Sequence, residues 1–443
     1  MKKCILILLD GLGDRSYPAF SHQTPLQAAH TPTLDRMAAV GANGLYHAAQ
    51  LGLALPSENA HFAIFGYDQA DFPGRGALEA LGAGVTLADA DVAFLAHFST
   101  ISCNDGIYYL QKDTPPAAAD EIKKLIPAIE HFTWQDIDIN FHHVKGLFGV
   151  LVMKGDVSPY VTDTNPMRDD VFVMDLVPWR SHAMEAAAVN TAKALKAYLV
   201  HVHQVLARHP INKTRVKKSL PPLNGLVTQR AGRMKKITPF SSRFGLKGLS
   251  IASGVVFEGL SRFIGLDFLK AQDTDNPEAD LAERLAAARE ALKQYDFIHV
   301  HTKAPDEAAH TKNPSFKKKV IEGLDRAIAG HVDWLLDDPD ILTVVTADHS
   351  TPSSGPLVHS GEPVPLTLCG EGVRRDAVVQ YDEISVAAGA LGTVRNRELM
   401  YLILNYLDRI KLMGIMDTDE DQMFWPGRYE KFKVSLKQRC RST

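Results

Sequence analysis

The segment Thr346-Ala347-Asp348-His349-Ser350-Thr351-Pro352 ends an apolar, β-like run, Ile341-Leu342-Thr343-Val344-Val345, in an adjacent carboxylate and imidazole. A further imidazole, His359, follows ten residues after His349. A buried strand seldom needs such a pair for packing, and both groups are good ligands for divalent metals. Asp306 and His310 form a second pair, four residues apart, with Pro305 at what reads as the first turn of a helix. At that spacing two side chains share one helical face and can grip one ion, although ordinary surface pairs show it too. Asp10 closes the first apolar run and brings the candidate ligands to six: Asp10, Asp306, His310, Asp348, His349 and His359. Six exceed one tetrahedral ion and suit two, the arrangement that stabilises both the attacking and the leaving oxygen of a phosphoryl displacement.

Such a site needs a nucleophile or a metal-bound water. Ser57 stands in Pro56-Ser57-Glu58-Asn59-Ala60-His61-Phe62. The commonest role for a serine before a helix is an N-cap, and that role is compatible with catalysis. A hydroxyl at a helix N-terminus lies near backbone N–H groups that bind phosphate, and coordination to a divalent ion would lower its pKa.

The elements that must position these groups are legible as short apolar runs. Cys4–Leu9, Gly149–Met153, Val171–Leu176, Phe297–His301, Ile341–Thr346 and Pro365–Cys369 read as strands buried on both faces. Helical periodicity runs through Pro277–Tyr295, Phe316–Leu336 and Arg397–Met413. Strands alternating with helices predict an α/β fold with a largely parallel sheet flanked by helices. Sites in such sheets lie at the carboxyl ends of strands. Asp10, the pair Lys303 and Asp306, and the pair Asp348 and His349 each follow a predicted strand.

From about Ala93 to Pro178 the texture changes to shorter strands with a helix near Pro116–Glu130, and a long helix follows over about Ser181–Ala207. This reads as a smaller α+β domain, residues 93–209, inserted into a discontinuous core domain of residues 1–92 and 210–443. Arg208–Lys247 holds eleven Lys or Arg residues and no Asp or Glu. It reads either as a solvated basic loop or as an electropositive wall for an anionic substrate. No nucleic-acid-binding motif accompanies it.

With 443 residues, 45% apolar and 23% charged, the chain has the composition of a two-domain globular protein. Its four cysteines, Cys4, Cys103, Cys369 and Cys440, lack CxxC spacing, which disfavours a disulfide scaffold and suits a reducing compartment. The apolar run after Met1-Lys2-Lys3 stops at Asp10, too soon for a signal peptide. A cytoplasmic protein is expected, with neither membrane nor nucleic acid as a partner. No feature specifies an oligomeric state.

Taken together these residues resemble the alkaline phosphatase superfamily and, within it, the archaeal-type branch of the cofactor-independent phosphoglycerate mutases. The segments that carry the resemblance are Leu9–Arg15, Ser57–Asp68, Gly74–Gly84, His209–Asn212, Lys303–His310, Asp348–Pro352 and His359–Pro365, in family order up to about Gly414. The resemblance implies an alkaline-phosphatase-like core and a small phosphorylated carboxylic acid as substrate. It implies interconversion of 3-phosphoglycerate and 2-phosphoglycerate through a phosphoserine on Ser57. By that analogy one divalent ion is held by Asp306, His310 and His359, and the other by Asp10, Ser57, Asp348 and His349. Manganese, zinc, magnesium or cobalt would serve, and mixed nitrogen and oxygen ligation makes a pure magnesium site less natural. Lys303 would neutralise the transferring phosphoryl group, Asn59 and His61 would lie at or behind the substrate, and Arg230 resembles the family's substrate arginine.

The chain departs from the family in three places. Ile101-Ser102-Cys103-Asn104-Asp105-Gly106 stands where an arginine-bearing segment is usual, Pro56 stands where glycine is common, and the tail after Gly414 is outside the pattern. A lost anion clamp would change the substrate and leave the metal chemistry intact. The alternatives are therefore a phosphatase or phosphonate hydrolase of the same superfamily, and a catalytically silent metal- or metabolite-binding protein.

Overall fold

The strand Lys3–Leu9 is buried along nearly its whole length and pairs in parallel on both sides, with Phe297–Thr302 and with Ile341–Thr346. The computed structural model describes residues 2–427 and 429–433. These three strands lie at the centre of an eight-stranded sheet. Its order is Asp267–Lys270, Gly248–Ala252, Phe297–Thr302, Lys3–Leu9, Ile341–Thr346, Val364–Cys369, Ala42–His47 and Gly392–Arg395. Only Val364–Cys369 runs against its neighbours, so the sheet is largely parallel, as expected. Strands covered on both faces must be apolar throughout, which is why unbroken runs mark them. The register sets Leu8 opposite both His301 and Thr346, so the residues that follow these strands emerge side by side at one edge.

The helices of this unit start where the sequence signals them. Pro277–Ala291 and Pro314–Ala329 each carry proline at the first turn, and the preceding Asn276 and Asn313 accept from the Ala279 and Phe316 N–H groups. The expected helix Phe316–Leu336 is two helices, Pro314–Ala329 and Val332–Asp337, parted at Gly330. The helix expected over Arg397–Met413 stops at Tyr406, and Pro277–Tyr295 stops as a helix at Ala291.

The second unit is an antiparallel sheet. Its order is His131–Trp134, Ile137–Lys145, Phe148–Lys154, Val92–Asn104, Ile107–Lys112 and Val171–Phe172, with Gly225–Gly232 also paired to Val92–Asn104. Helix Ala186–Arg208 lays Leu195, Tyr198, Val202 and Leu206 into a core with Phe94, Phe98, Phe141 and Leu151. The run Val171–Leu176 forms only two ladder residues, because it lies at the outer edge beside the short strand Ile107–Lys112.

The chain divides differently from the expected 1–92, 93–209 and 210–443. One compact unit comprises the residues up to Gln69, Thr238–Ser253 and those from Ile264 onward. The other comprises Ala70–Ile237 and Gly254–Phe263. Strand pairing is the reason. Gly225–Gly232 must hydrogen-bond to Val92–Asn104, and helix Arg75–Gly82 packs so closely on the same strands that a Cβ on Gly76 would meet the Ala93 carbonyl. The basic stretch Arg208–Lys247 is accordingly not a loop. It forms helix Pro210–Lys217, strand Gly225–Gly232 and helix Phe240–Phe244. Among the described residues no helix is long and apolar enough to cross a membrane. Cys440 lies outside the described residues.

Candidate metal centre

The turn after Lys3–Leu9 carries Asp10, and the turn after Ile341–Thr346 carries Asp348 and His349. Asp10, Asp348 and His349 are all buried, and one donor atom of each lies within 4.8 Å of the others. Each carboxylate has one oxygen engaged and one not. Asp348 Oδ1 accepts from the Gly11 and His349 N–H groups, at 3.0 Å each. Asp10 Oδ2 lies 2.9 Å from His301 Nε2. The remaining oxygens, Asp10 Oδ1 and Asp348 Oδ2, are buried without a hydrogen-bond partner. Orphaned buried carboxylate oxygens are costly, and a cation between them removes the cost.

Asp306, His310 and His359 form a second group with donor atoms within 4.8 Å of one another. Asp306 and His310 lie on helix Ala304–His310, with Asp306 Oδ2 3.2 Å from His310 Nε2. His359 Nδ1 donates to the Leu55 carbonyl at 2.8 Å, which leaves Nε2 with its lone pair, 3.6 Å from Asp306 Oδ1. Thr351 joins the two groups. Its hydroxyl donates to Asp306 Oδ1 at 2.7 Å and accepts from His349 Nδ1 at 3.1 Å, so His349 also offers Nε2 as acceptor. Outer partners of this kind orient metal-binding side chains. The His349 and His359 rings stack with centroids 3.8 Å apart.

The electrostatics have the same sense. Burial, then the neighbouring Asp348 and Asp306, push the Asp10 carboxyl well above its usual range. Burial pushes Asp348 up to about 7. Asp306 is also pushed up by burial, but His310, His349 and Thr351 outweigh that and the net shift is downward. Burial and the adjacent His359 hold His349 neutral, the form that binds a metal. Three carboxylates converge with too little positive charge around them, the condition a divalent cation relieves.

Ser57 is the first residue of helix Ser57–Ile64, with Pro56 in the cap position. The serine caps nothing. Its Oγ lies 3.0 Å from His349 Nε2, at the inner group. Lys303 occupies the cap position of helix Ala304–His310, near enough for its charge to draw the Asp10 pKa down against burial. Asn59 is tied to Gln69, its Nδ2 donating to Gln69 Oε1 at 2.8 Å. His61 is completely buried, its Nδ1 donating to the Ser57 carbonyl at 2.8 Å. That corrects the expectation of His61 as a substrate contact, because a side chain with no accessible surface touches only the protein. Arg230 belongs to the second unit, in a left-handed conformation at φ +54°, its N–H donating to Asp163 Oδ1 at 2.7 Å.

Sequence reasoning missed Thr351, His301 and Lys317. The first two left a signal. Thr351 is inside the Asp348–Pro352 motif, and His299 and His301 alternate along an otherwise apolar strand, which puts both on one face. Lys317 left none, being one of three consecutive lysines on a helix.

A family model described as the metalloenzyme superfamily matches residues 2–406. The "2,3-bisphosphoglycerate-independent phosphoglycerate mutase 2" of Methanocaldococcus jannaschii is 37% identical over 436 residues, covering 96% of this chain and 97% of its own. The enzyme of the same type from Methanopyrus kandleri is 35% identical over 418 residues, covering 93% and 98%. Among solved structures, a protein from Pyrococcus horikoshii is similar with a TM-score of 0.76 at 28% identity, over 94% of this chain and 99% of its own. The cofactor-independent phosphoglycerate mutase of Thermoplasma acidophilum follows with a TM-score of 0.64 at 29% identity, over 92% and 100%.

Proposed function

Because the chain belongs to the metalloenzyme superfamily and, within it, to the 2,3-bisphosphoglycerate-independent phosphoglycerate mutases, we propose that it interconverts 3-phosphoglycerate and 2-phosphoglycerate through a phosphoserine on Ser57. The observation that carries this reading is the Ser57 hydroxyl, 3.0 Å from His349 Nε2 at the mouth of the inner carboxylate pair. In this reading Asp306, His310 and His359 hold one divalent ion, and Asp10, Ser57, Asp348 and His349 hold the other. Manganese, zinc, magnesium and cobalt all suit these donors. When bound, the ions supply Lewis acidity, lowering the pKa of the serine hydroxyl and neutralising phosphoryl charge.

The residues do the rest. Ser57 Oγ attacks phosphorus, a P–Oγ bond forms and the bond to the C3 oxygen of the glycerate breaks. The proton that Ser57 gives up is returned to that oxygen. The glycerate turns in place, its C2 hydroxyl attacks the phosphoserine, and Ser57 recovers a proton as the P–Oγ bond breaks. Lys303 offsets charge on the transferring group. His61 holds the Ser57 carbonyl, which fixes the start of the nucleophile's helix. Buried thiols at Cys4 and Cys369 suit a reducing cytoplasm.

The hydrolase alternative is not favoured, since relatives matched along nearly the whole chain bear the mutase name. Incubation of Mn-loaded protein with 3-phosphoglycerate, followed by phosphorus NMR, tests the choice. The expected product is 2-phosphoglycerate without free phosphate, and free phosphate as the main product would overturn the reading. Ser57→Ala is expected to abolish transfer with bound metal retained. Turnover persisting in that variant would mean that water attacks directly.

A further inference from the structure

Behind the inner carboxylates three imidazoles are packed together. His299 and His301 come from strand Phe297–Thr302 and His61 from helix Ser57–Ile64, and none is more than 1% exposed. The His61 ring meets His301 edge to face at 4.8 Å and His299 at 5.4 Å. A neutral imidazole carries a single N–H. The destination of that N–H decides what each ring does. His299 Nδ1 lies 3.0 Å from Ser250 Oγ, and His61 Nδ1 donates to the Ser57 carbonyl. His301 is directed at a candidate ligand, with Nε2 2.9 Å from Asp10 Oδ2, and His61 Nδ1, bonded to the Ser57 carbonyl, also lies 3.4 Å from Asp348 Oδ2.

As a metal ligand Asp10 is ionised and only accepts, so His301 Nε2 is the donor. The bond occupies Oδ2 and turns Oδ1 inward, 3.5 Å from His349 Nε2 and without a hydrogen bond. Asp348 shows the same pattern, one oxygen held by two backbone N–H groups and the other unsatisfied. The backbone of His301 is itself fastened, since the buried Arg284 donates to its carbonyl. We propose that His301 is the positioning residue of the inner metal site, its Nε2–H holding Asp10 so that a single oxygen, Oδ1, is presented to the ion. This rests on the reading of Asp10 as a ligand.

Metal affinity tests it without recourse to activity. Metal-stripped full-length protein is titrated with Mn²⁺, free ion being followed by electron paramagnetic resonance, for the wild type, His301→Phe, His301→Asn and His301→Gln. The wild type is expected to bind two ions. Phenylalanine keeps the ring and removes the donor, and asparagine is too short to reach Asp10. Both are expected to weaken one ion about 10–100-fold and leave the other unchanged. Glutamine brings an N–H near the position of Nε2 and is expected to restore most of the affinity. If His301→Phe does not fold, the contrast between asparagine and glutamine decides. Wild-type affinities at both sites in His301→Phe or His301→Asn would overturn the proposal, as would equal weakening of both ions. A wild type that binds no pair of ions would instead overturn the two-metal reading on which the proposal stands.

Discussion

Gly11 has φ +66°, and a Cβ added there would lie 2.7 Å from Asp306 Cβ, Asp306 Oδ1 and Thr351 Oγ1. A side chain in that conformation costs roughly 1–2 kcal/mol. Displacing well-packed groups adds about 1–3 kcal/mol. The groups displaced are a candidate ligand of the outer site and the hydroxyl that links it to His349. The backbone N–H of Gly11 also holds Asp348 Oδ1. Gly11→Ala is therefore expected to lose about 2–5 kcal/mol in urea unfolding and to bind both ions more weakly. Wild-type stability in that variant would show that Asp306 and Thr351 yield without cost.

Helix Pro314–Ala329 positions the site from below. Its Lys317 is completely buried, and the ammonium donates at 2.9 Å to the carbonyls of Gly13 and Thr351, one in each turn that carries candidate ligands. Asp14 Oδ2, 3.2 Å away, balances its charge. Lys317→Met leaves that carboxylate buried without its cation, so a loss of about 3–5 kcal/mol is expected in urea unfolding. Glu383 ties helix Pro25–Ala28 to the same turn, accepting from Thr24 Oγ1 at 2.7 Å and the Asp14 N–H at 3.1 Å. Burial pushes its carboxyl from the ordinary 4.5 up to about 7. The folded state then holds a proton that the unfolded state releases between those values. Stability is greatest below the lower value and falls as pH rises through the upper one. Glu383→Gln is expected to remove that part of the slope, about 1.4 kcal/mol per pH unit. Unfolding of both proteins at about pH 5 and about pH 7.5 would measure it, and parallel pH profiles would refute it.

At the scale of the molecule the two candidate ion sites differ in access. His310 is 39% exposed at the outer site, whereas Asp10, Asp348 and His349 are all buried. A chelator is expected to remove the outer ion first and the inner ion slowly. Each ion at a hundredfold excess over its Kd stabilises the folded state by about 2.7 kcal/mol. Metal removal is thus expected to lower hydrogen-exchange protection in Lys3–Leu9, Phe297–Thr302 and Ile341–Thr346. The antiparallel sheet of the other unit contains no residue of either ligand group and is expected to keep its protection. Equal loss in both sheets would show that the ions act on the whole chain.

Much of the core and of the candidate ligand groups was legible in the sequence, because local polarity encodes both. A strand covered on both faces is an unbroken apolar run, and a candidate ligand at its end is a sudden polar break, as at Asp10 and Asp348. Asn-Pro marks the helices at Pro277 and Pro314 for the same local reason. What the tertiary structure alone decided depends on pairings between distant residues. Gly225–Gly232 returns to Val92–Asn104 and so redraws the boundary between the units. Ser57 leaves the capping role because the helix begins at it, with Pro56 in the cap position, and its hydroxyl meets His349, 292 residues further along the chain. His301 and Lys317 meet Asp10 and the turns beside it only once strand register and helix packing are set. No local pattern records such contacts, since their free energy comes from closure of the fold around them.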